Sequence, residues 1–182
     1  MEPITDYRRI DQLRTDELFI KRIGWWRPYY ELSDGQFTYA RLSYKSVFNR
    51  YAIVECAVGL FTIKRKSLIG RTMLINHGED ELIGEIEPAM WKRNVELSMN
   101  NGFEATYKFK KLFSRAFTLF SESYGDILEI KQLIWGFKKP FSVTLASNNQ
   151  QAGKPDVALL AMIGVHFILL RQAQAAGVAA GQ

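Results

Sequence analysis

Basic residues next to aromatic residues form the pattern in this sequence that most suggests a binding site. Each of three basic groups has an aromatic neighbour, such as Phe61, Phe109 or Phe141. Lysine and arginine attract phosphate groups, so such patches suit phosphoinositide head groups, membrane surfaces or nucleic acid. Cations at strand ends also keep sheet edges soluble, and edge protection is the alternative interpretation. The candidate anion-binding or lipid-binding residues are Lys64, Arg65, Lys66, Lys108, Lys110, Lys111, Arg115, Lys138 and Lys139.

Five carboxylates lie within residues 79–87 and form a second candidate pattern. Paired carboxylates can serve general acid–base catalysis, but the two groups must face each other, which spacing alone does not show. The carboxylates alternate with apolar side chains, as on a solvated strand face. A hydrolase-type enzyme that uses Glu85 and Glu87 is therefore an alternative function, and no catalytic residue is assigned. The five residues are Glu79, Asp80, Glu81, Glu85 and Glu87.

The remaining reactive residue types suggest structural roles. Cys56 lies in an apolar run and is expected to be a small buried hydrophobe, with a reactive thiol as the alternative. His166 lies in an apolar segment and is expected to be neutral and buried, with a pH-sensing or catalytic role as the alternative. His77 neighbours Gly78 in a turn and is expected to face solvent. One cysteine and two histidines cannot form a closed Cys/His zinc site, so we expect no metal and no cofactor.

Familiar catalytic motifs are also missing from the sequence. It contains no nucleophile elbow, no H-E-x-x-H, no P-loop and no G-x-G-x-x-G fingerprint. The net charge of +5 favours anionic surfaces, but it is too small to indicate nucleic-acid binding. The acidic N-terminus does not resemble a signal peptide, and a lone cysteine is typical of a reducing compartment. We therefore expect a cytoplasmic protein, peripheral at the membrane if it binds lipid.

Short apolar runs separated by turn residues predict ten to twelve strands between residues 17 and 145. The clearest pair alternates apolar and polar residues over Val95–Met99 and over 103–110, with Asn101-Gly102 between them. Asp34-Gly35 between two aromatic runs predicts another hairpin, because Gly favours the positive φ of tight turns. Turns at this spacing are typical of sandwiches and barrels.

Residues 157–170 predict a helix that is apolar on every side. Pro155 and Asp156 suit its first turn, since proline loses no hydrogen bond there and aspartate complements the helix dipole. A helix of this kind must be surrounded by apolar matter. The run is shorter than the roughly 20 residues that span a bilayer, so we predict a protein interior and no transmembrane segment.

The predicted fold class is mainly β (α+β): an antiparallel β-barrel of about ten to twelve strands that encloses a hydrophobic C-terminal helix. The length of 182 residues suggests a single domain. Residues 1–16 are expected to form an N-terminal arm or short helix. Residues 17–171 are expected to form the barrel with its central helix at 156–171, and residues 172–182 a flexible tail.

This architecture resembles the tubby C-terminal domain superfamily, which includes LURP-one-related proteins and phospholipid scramblases. The resemblance covers residues 29–170. It is carried by the Tyr-Glu-Leu-Ser-Asp-Gly hairpin at 30–35, the strand succession, and the Pro-Asp pair at 155–156 before the apolar run. It implies that the helix is the barrel core. Tubby binds phosphoinositides through basic residues and scramblases bind calcium. Tubby's basic residues do not align with positions here, and the scramblase calcium loop is absent, so neither site is carried over.

We therefore expect a non-enzymatic tubby-like module that binds an anionic membrane lipid or a protein partner. Besides the hydrolase alternative, a purely structural or oligomerisation domain is a third possibility. Its contact surface would be the aromatic group Trp25, Trp26 and Tyr29.

Overall fold

Alternating side chains fold the chain into a closed barrel. The structure is a computed structural model that describes residues 7–13, 15, 17–45, 51–67, 70–88, 94–109, 116–133, 138–146 and 155–179. Within these residues a 3-10 turn (Ile10–Gln12) precedes twelve strands and one helix. The elements are β1 (Glu17–Ile23), β2 (Tyr29–Ser33), β3 (Thr38–Tyr44), β4 (Tyr51–Cys56), β5 (Gly59–Arg65), β6 (Met73–His77), β7 (Glu81–Pro88), β8 (Val95–Met99), β9 (Glu104–Phe109), β10 (Ala116–Ser121), β11 (Gly125–Gln132), β12 (Phe141–Leu145) and α1 (Val157–Ala179).

Every strand pairs with its neighbours in sequence, and β12 pairs with β1 to close the barrel. All of these pairs are antiparallel, and closure leaves no strand edge open for aggregation. The predicted fold class, an antiparallel barrel around a C-terminal helix, is confirmed. The predicted strand bounds agree to within a few residues, and the Val95–Met99 hairpin pairs as expected, with Val95 opposite Tyr107.

Inward and outward side chains alternate along the strands. In β4, Ala52, Val54 and Cys56 are buried, and the residues between them face outward. A row of opposite charges crosses the outer face of four strands. Its members, paired strand to strand, are Lys21, Glu31, Arg41 and Glu55. Opposite charges on facing positions stabilise that register, and a slip by one residue would turn them inward.

Helix α1 runs through the barrel interior. Every residue from 157 to 168 is buried. The helix contacts β3 and β4 on one side and β11 on the other, and these strands lie across the barrel from each other. The Tyr107 hydroxyl of β9 donates a 2.6 Å hydrogen bond to the Leu160 carbonyl. The apolar circumference of α1 is therefore matched by apolar strand faces all round it.

The side chain of Asp156 caps the start of the helix. Its Oδ1 accepts hydrogen bonds from the backbone N–H groups of Ala158 (2.8 Å) and Leu159 (3.2 Å). Those N–H groups lack partners within the helix, so the carboxylate stabilises the first turn. Burial raises the pKa of Asp156, against the lowering effect of these hydrogen bonds.

The helix is longer than the sequence prediction. It continues to Ala179 rather than ending at 171, and residues 171–176 are exposed. Alanine and glutamine, which dominate this part, have high helix propensity, so the helix persists after its apolar surroundings end. The predicted tail at 172–182 is thus helical as far as Ala179. The predicted N-terminal arm contains the 3-10 turn.

Length and composition would allow part of this helix to cross a membrane. Val157–Ala176 has a mean hydropathy of 1.5, and 67% of its apolar window is buried inside the protein. Length therefore does not exclude a membrane span, because the helix is longer than the apolar run. The strands enclose residues 157–168, however, and the described residues contain no clear transmembrane segment.

We predict that Gly164→Leu lowers the free energy of unfolding by about 3 kcal/mol, because overpacking a filled core displaces its neighbours. A Cβ at Gly164 would meet Ile130 Cδ1 at 2.5 Å and Tyr107 Cε1 at 3.0 Å. Chemical denaturation measures the change. The control is Ala173→Leu, on the exposed part of the same helix, where we expect less than about 0.5 kcal/mol. Equal effects would contradict enclosure of the helix.

Candidate functional site

The strand connections at the two ends of the barrel differ in charge. Helix α1 begins at the lower end, beside Cys56, and leaves at the upper end, where Arg171 stacks on Phe109 with its Cζ 4.0 Å from the ring centroid. The lower strand connections are 34–37, 57–58, 78–80, 100–103 and 122–124. The upper ones are 24–28, 45–50, 66–72, 89–94, 110–115 and 133–140. By sequence, every upper connection carries lysine or arginine and no acid, whereas no lower connection carries lysine or arginine and three of the five carry acids.

Several exposed cations among the described residues lie at the upper end, and we call six of them the basic rim. Within the part of the chain that the structure describes, five of them form no ion pair, and only Lys66 is bound to a carboxylate. The rim residues form two groups on the circumference, one at the adjoining β1–β2 and β11–β12 connections and one at the β5–β6 connection, so they do not line a single pocket. The basic rim consists of Arg27, Arg65, Lys66, Arg71, Lys138 and Lys139.

The first predicted basic group, 64–66, lies at the upper end of β5. Lys64 contacts Asp80 at 3.4 Å, and Lys66 donates to both carboxylate oxygens of Glu85 at 2.9 and 3.1 Å. Arg65 is exposed at the end of the strand. Because exposed ion pairs contribute little, Lys66 can exchange Glu85 for another anion at small cost.

The other described predicted cations lie on the far side of the barrel. Lys138 and Lys139 precede β12, and the backbone N–H of Arg22 donates to the Lys138 carbonyl at 2.9 Å. Lys139 Nζ lies 4.7 Å from the ring centroid of Phe19. Lys108 lies on the outer wall, with its Nζ 4.0 Å from the ring centroid of Phe120. The predicted residues thus share one end of the barrel without converging on one point.

Three predicted residues, Lys110, Lys111 and Arg115, lie outside the described residues. The prediction also missed Arg27 and Arg71. Both stand in connections between odd-numbered strands and the strands that follow. In an up-and-down barrel all such connections lie at the same end. Correct prediction of every strand would therefore have placed Arg27 and Arg71 at the same end as the other predicted cations.

The acidic cluster lies on the outer face of the barrel, where Glu87 is paired in register with Glu96. Four of its members bind cations or polar groups on the outer wall. Glu79 contacts Lys45 at 3.7 Å and accepts a hydrogen bond from the Tyr51 hydroxyl. Glu81 binds His77 at 3.1 Å. The pairs with Asp80 and Glu85 are given above, and Glu87 is exposed. Among the described residues no group of three or more metal-binding side chains is present.

His166 and Cys56 are buried, as predicted. His166 is 0% exposed, and its Nδ1 lies 3.1 Å from the Tyr44 hydroxyl. Burial lowers the pKa of His166 from 6.5 to about 3, because the interior disfavours the charged ring. Burial likewise raises the pKa of Cys56 to about 12, so its thiol stays protonated and unreactive. His77 is exposed, as predicted, although it ends β6 rather than lying in the turn.

Comparisons with known proteins do not assign the chain to a family. No family model matches the chain, and no curated protein and no solved structure matches it either.

We predict that the protein loses about 2 kcal/mol of stability between pH 7 and pH 5 through His166. The unfolded chain takes up a proton near the ordinary histidine pKa of 6.5, whereas the folded chain does so only near 3. Stability is therefore complete above pH 6.5 and falls as the pH drops towards 3. Denaturation midpoints measured across this range provide the test.

His166→Leu should remove this part of the pH dependence, since leucine has no proton to gain. The control Phe167→Leu changes a buried residue of the same helix and retains His166, so it should keep the wild-type slope. Identical slopes in both variants would contradict the assignment to His166.

Proposed function

We propose that this protein is a non-enzymatic, tubby-like binding module that docks on anionic membrane surfaces through its basic rim. The observation that carries the proposal is the difference in charge between the strand connections at the two ends of the barrel. Six upper connections carry cations without acids, whereas no lower connection carries lysine or arginine and three of the five carry acids. Charge arranged in this way directs one end of the molecule towards an anionic surface.

An extended surface fits the rim better than a small ligand does. Arg65 and Lys138 lie on opposite sides of the barrel, so one small anion cannot contact both. An extended anionic surface can contact several rim residues at once. Each lysine or arginine near an anionic membrane contributes about 1 kcal/mol, within a Debye length of the surface.

The presence of a helix inside the barrel favours a binding site on the outer surface. Residues 157–168 are buried along the barrel axis, and side chains of β9 and β11 pack directly against Gly164. The helix along the barrel axis therefore favours binding on the outside. The resemblance to tubby-like barrels with a central helix supports the same assignment, and the anionic leaflet facing the cytoplasm is the expected surface.

We predict that Lys138→Gln/Lys139→Gln lowers binding to anionic vesicles about 30-fold, because two cations contribute about 2 kcal/mol. The measurement is co-sedimentation with phosphatidylcholine vesicles that contain about 30 mol% phosphatidylserine, at low salt and at about 0.5 M salt. Binding of the unmodified protein should fall steeply at the higher salt.

The matched control is Arg8→Gln/Arg9→Gln, which changes net charge equally at the lower end. Arg8 bonds to Thr38 there, at the start of β3. We expect this control to bind vesicles as the unmodified protein does. Equal loss in both double variants would show that net charge, and not the rim, drives binding. Absence of salt-sensitive binding would overturn the proposed function.

A further inference from the structure

Two adjacent tryptophans at the upper end are almost completely exposed. Trp25 is 80% and Trp26 is 87% exposed, far more than any other large apolar side chain in the described residues. Tryptophan is normally buried over most of its surface, and its exposure as an adjacent pair forms an apolar patch. Neither indole contributes to the barrel core, so folding does not account for them.

The loop that carries the pair is short and shaped by the backbone. Ile23 pairs with Tyr29, so both tryptophans lie beyond the last paired residues of β1 and β2. Gly24 has a φ of +86°, and a Cβ there would meet the Arg27 carbonyl oxygen at 3.3 Å. Glycine is therefore needed for the chain to turn back on itself at this point.

The pair is attached to the basic rim on both sides. Arg27 follows directly in the same loop. The hydrogen bond between Arg22 N–H and the Lys138 carbonyl joins the end of β1 to the connection that carries Lys138 and Lys139. The third aromatic of the group, Tyr29, is half-buried, with the Arg41 guanidinium 4.7 Å from its ring centroid. Only the tryptophans are thus open to a partner.

We propose that the loop of Trp25 and Trp26 is a membrane anchor that inserts into the head-group region of an anionic bilayer. This inference rests on the proposed function and adds the orientation of the protein, with the upper end facing the lipid. Tryptophan is enriched at membrane interfaces because its ring is apolar and its N–H can bond to the polar layer. Cations next to the pair match the negative surface into which it inserts.

Brominated lipids test the insertion directly, because bromine quenches only indoles that lie within the bilayer. The chain has four tryptophans, so a Trp91→Phe/Trp135→Phe variant leaves Trp25 and Trp26 as the only reporters. With phosphatidylserine-containing vesicles we expect a blue shift of emission and strong quenching by bromines near the head groups. Weaker quenching is expected from bromines deep in the acyl chains.

A second measurement compares how strongly the protein partitions onto vesicles with and without the tryptophans of the 24–28 loop. It does not depend on the Trp91→Phe/Trp135→Phe variant. Trp25→Ser/Trp26→Ser should lower partition onto the same vesicles about tenfold or more, since membrane binding scales with buried apolar area. The matched control, Phe37→Ser/Leu82→Ser, removes exposed apolar groups of 43% and 40% exposure at the lower end. It should change partition less than about twofold, and circular dichroism checks that both variants fold.

The outcomes separate this inference from the proposed function. One outcome is that vesicle binding is salt-sensitive, the tryptophans are not quenched, and Trp25→Ser/Trp26→Ser partitions as the unmodified protein does. That outcome would overturn the anchor and leave the basic rim as the docking surface. Absence of vesicle binding in the unmodified protein would overturn both. A tryptophan-dependent change of mass in light scattering, without quenching on vesicles, would overturn the anchor in favour of contact between copies of the chain.

Discussion

The burial of an entirely apolar helix is the constraint on which the rest of this structure depends. Residues 157–168 have no polar stripe that could face water, apart from His166, and even that ring is buried. A helix of this kind is stable only where apolar side chains surround it. Twelve strands in the described part of the chain provide that surround, and their closure removes every open edge. Because the helix lies along the barrel axis, the outer wall and the ends are the surfaces that the barrel presents to solvent.

Topology then determines how the ends differ. Each strand turns back beside the previous one, so connections fall alternately at the lower and the upper end. The lower turns are short, and Asp34 shows why acids suit them, since its carboxylate accepts hydrogen bonds from the Gln36 and Phe37 backbone at 2.8 Å each. The upper connections are longer and have no such requirement. Lysine and arginine are the charged residues in every one of them.

Sequence reasoning could predict the elements that depend on local periodicity. The alternation in Val95–Met99 and Glu104–Phe109 predicts a hairpin, and the apolar run after Asp156 predicts the enclosed helix. Contacts between distant residues could not be predicted in this way. The pairs Lys66–Glu85 and Tyr44–His166 join segments far apart in sequence, and only the barrel register brings them together. Prediction of the basic rim requires the correct number of strands. One strand more or fewer would move every later connection to the opposite end of the barrel.

Two acids of a lower connection, Glu79 and Asp80, lie against the outer wall and pair with Lys45 and Lys64. A strand of 7 residues such as β1 extends roughly 23 Å, and a tilt of about 45° leaves roughly 16 Å along the barrel axis. That separation exceeds the Debye length of about 8 Å at physiological salt, so a lower acid without such a pair, such as Asp34, is screened from a surface that touches the rim. In the proposed docking, the cations of the upper connections turn the molecule towards an anionic bilayer before contact. After contact, Trp25 and Trp26 act only over the range of direct burial. Electrostatic orientation and apolar insertion therefore operate at different distances, and salt weakens the first without weakening the second.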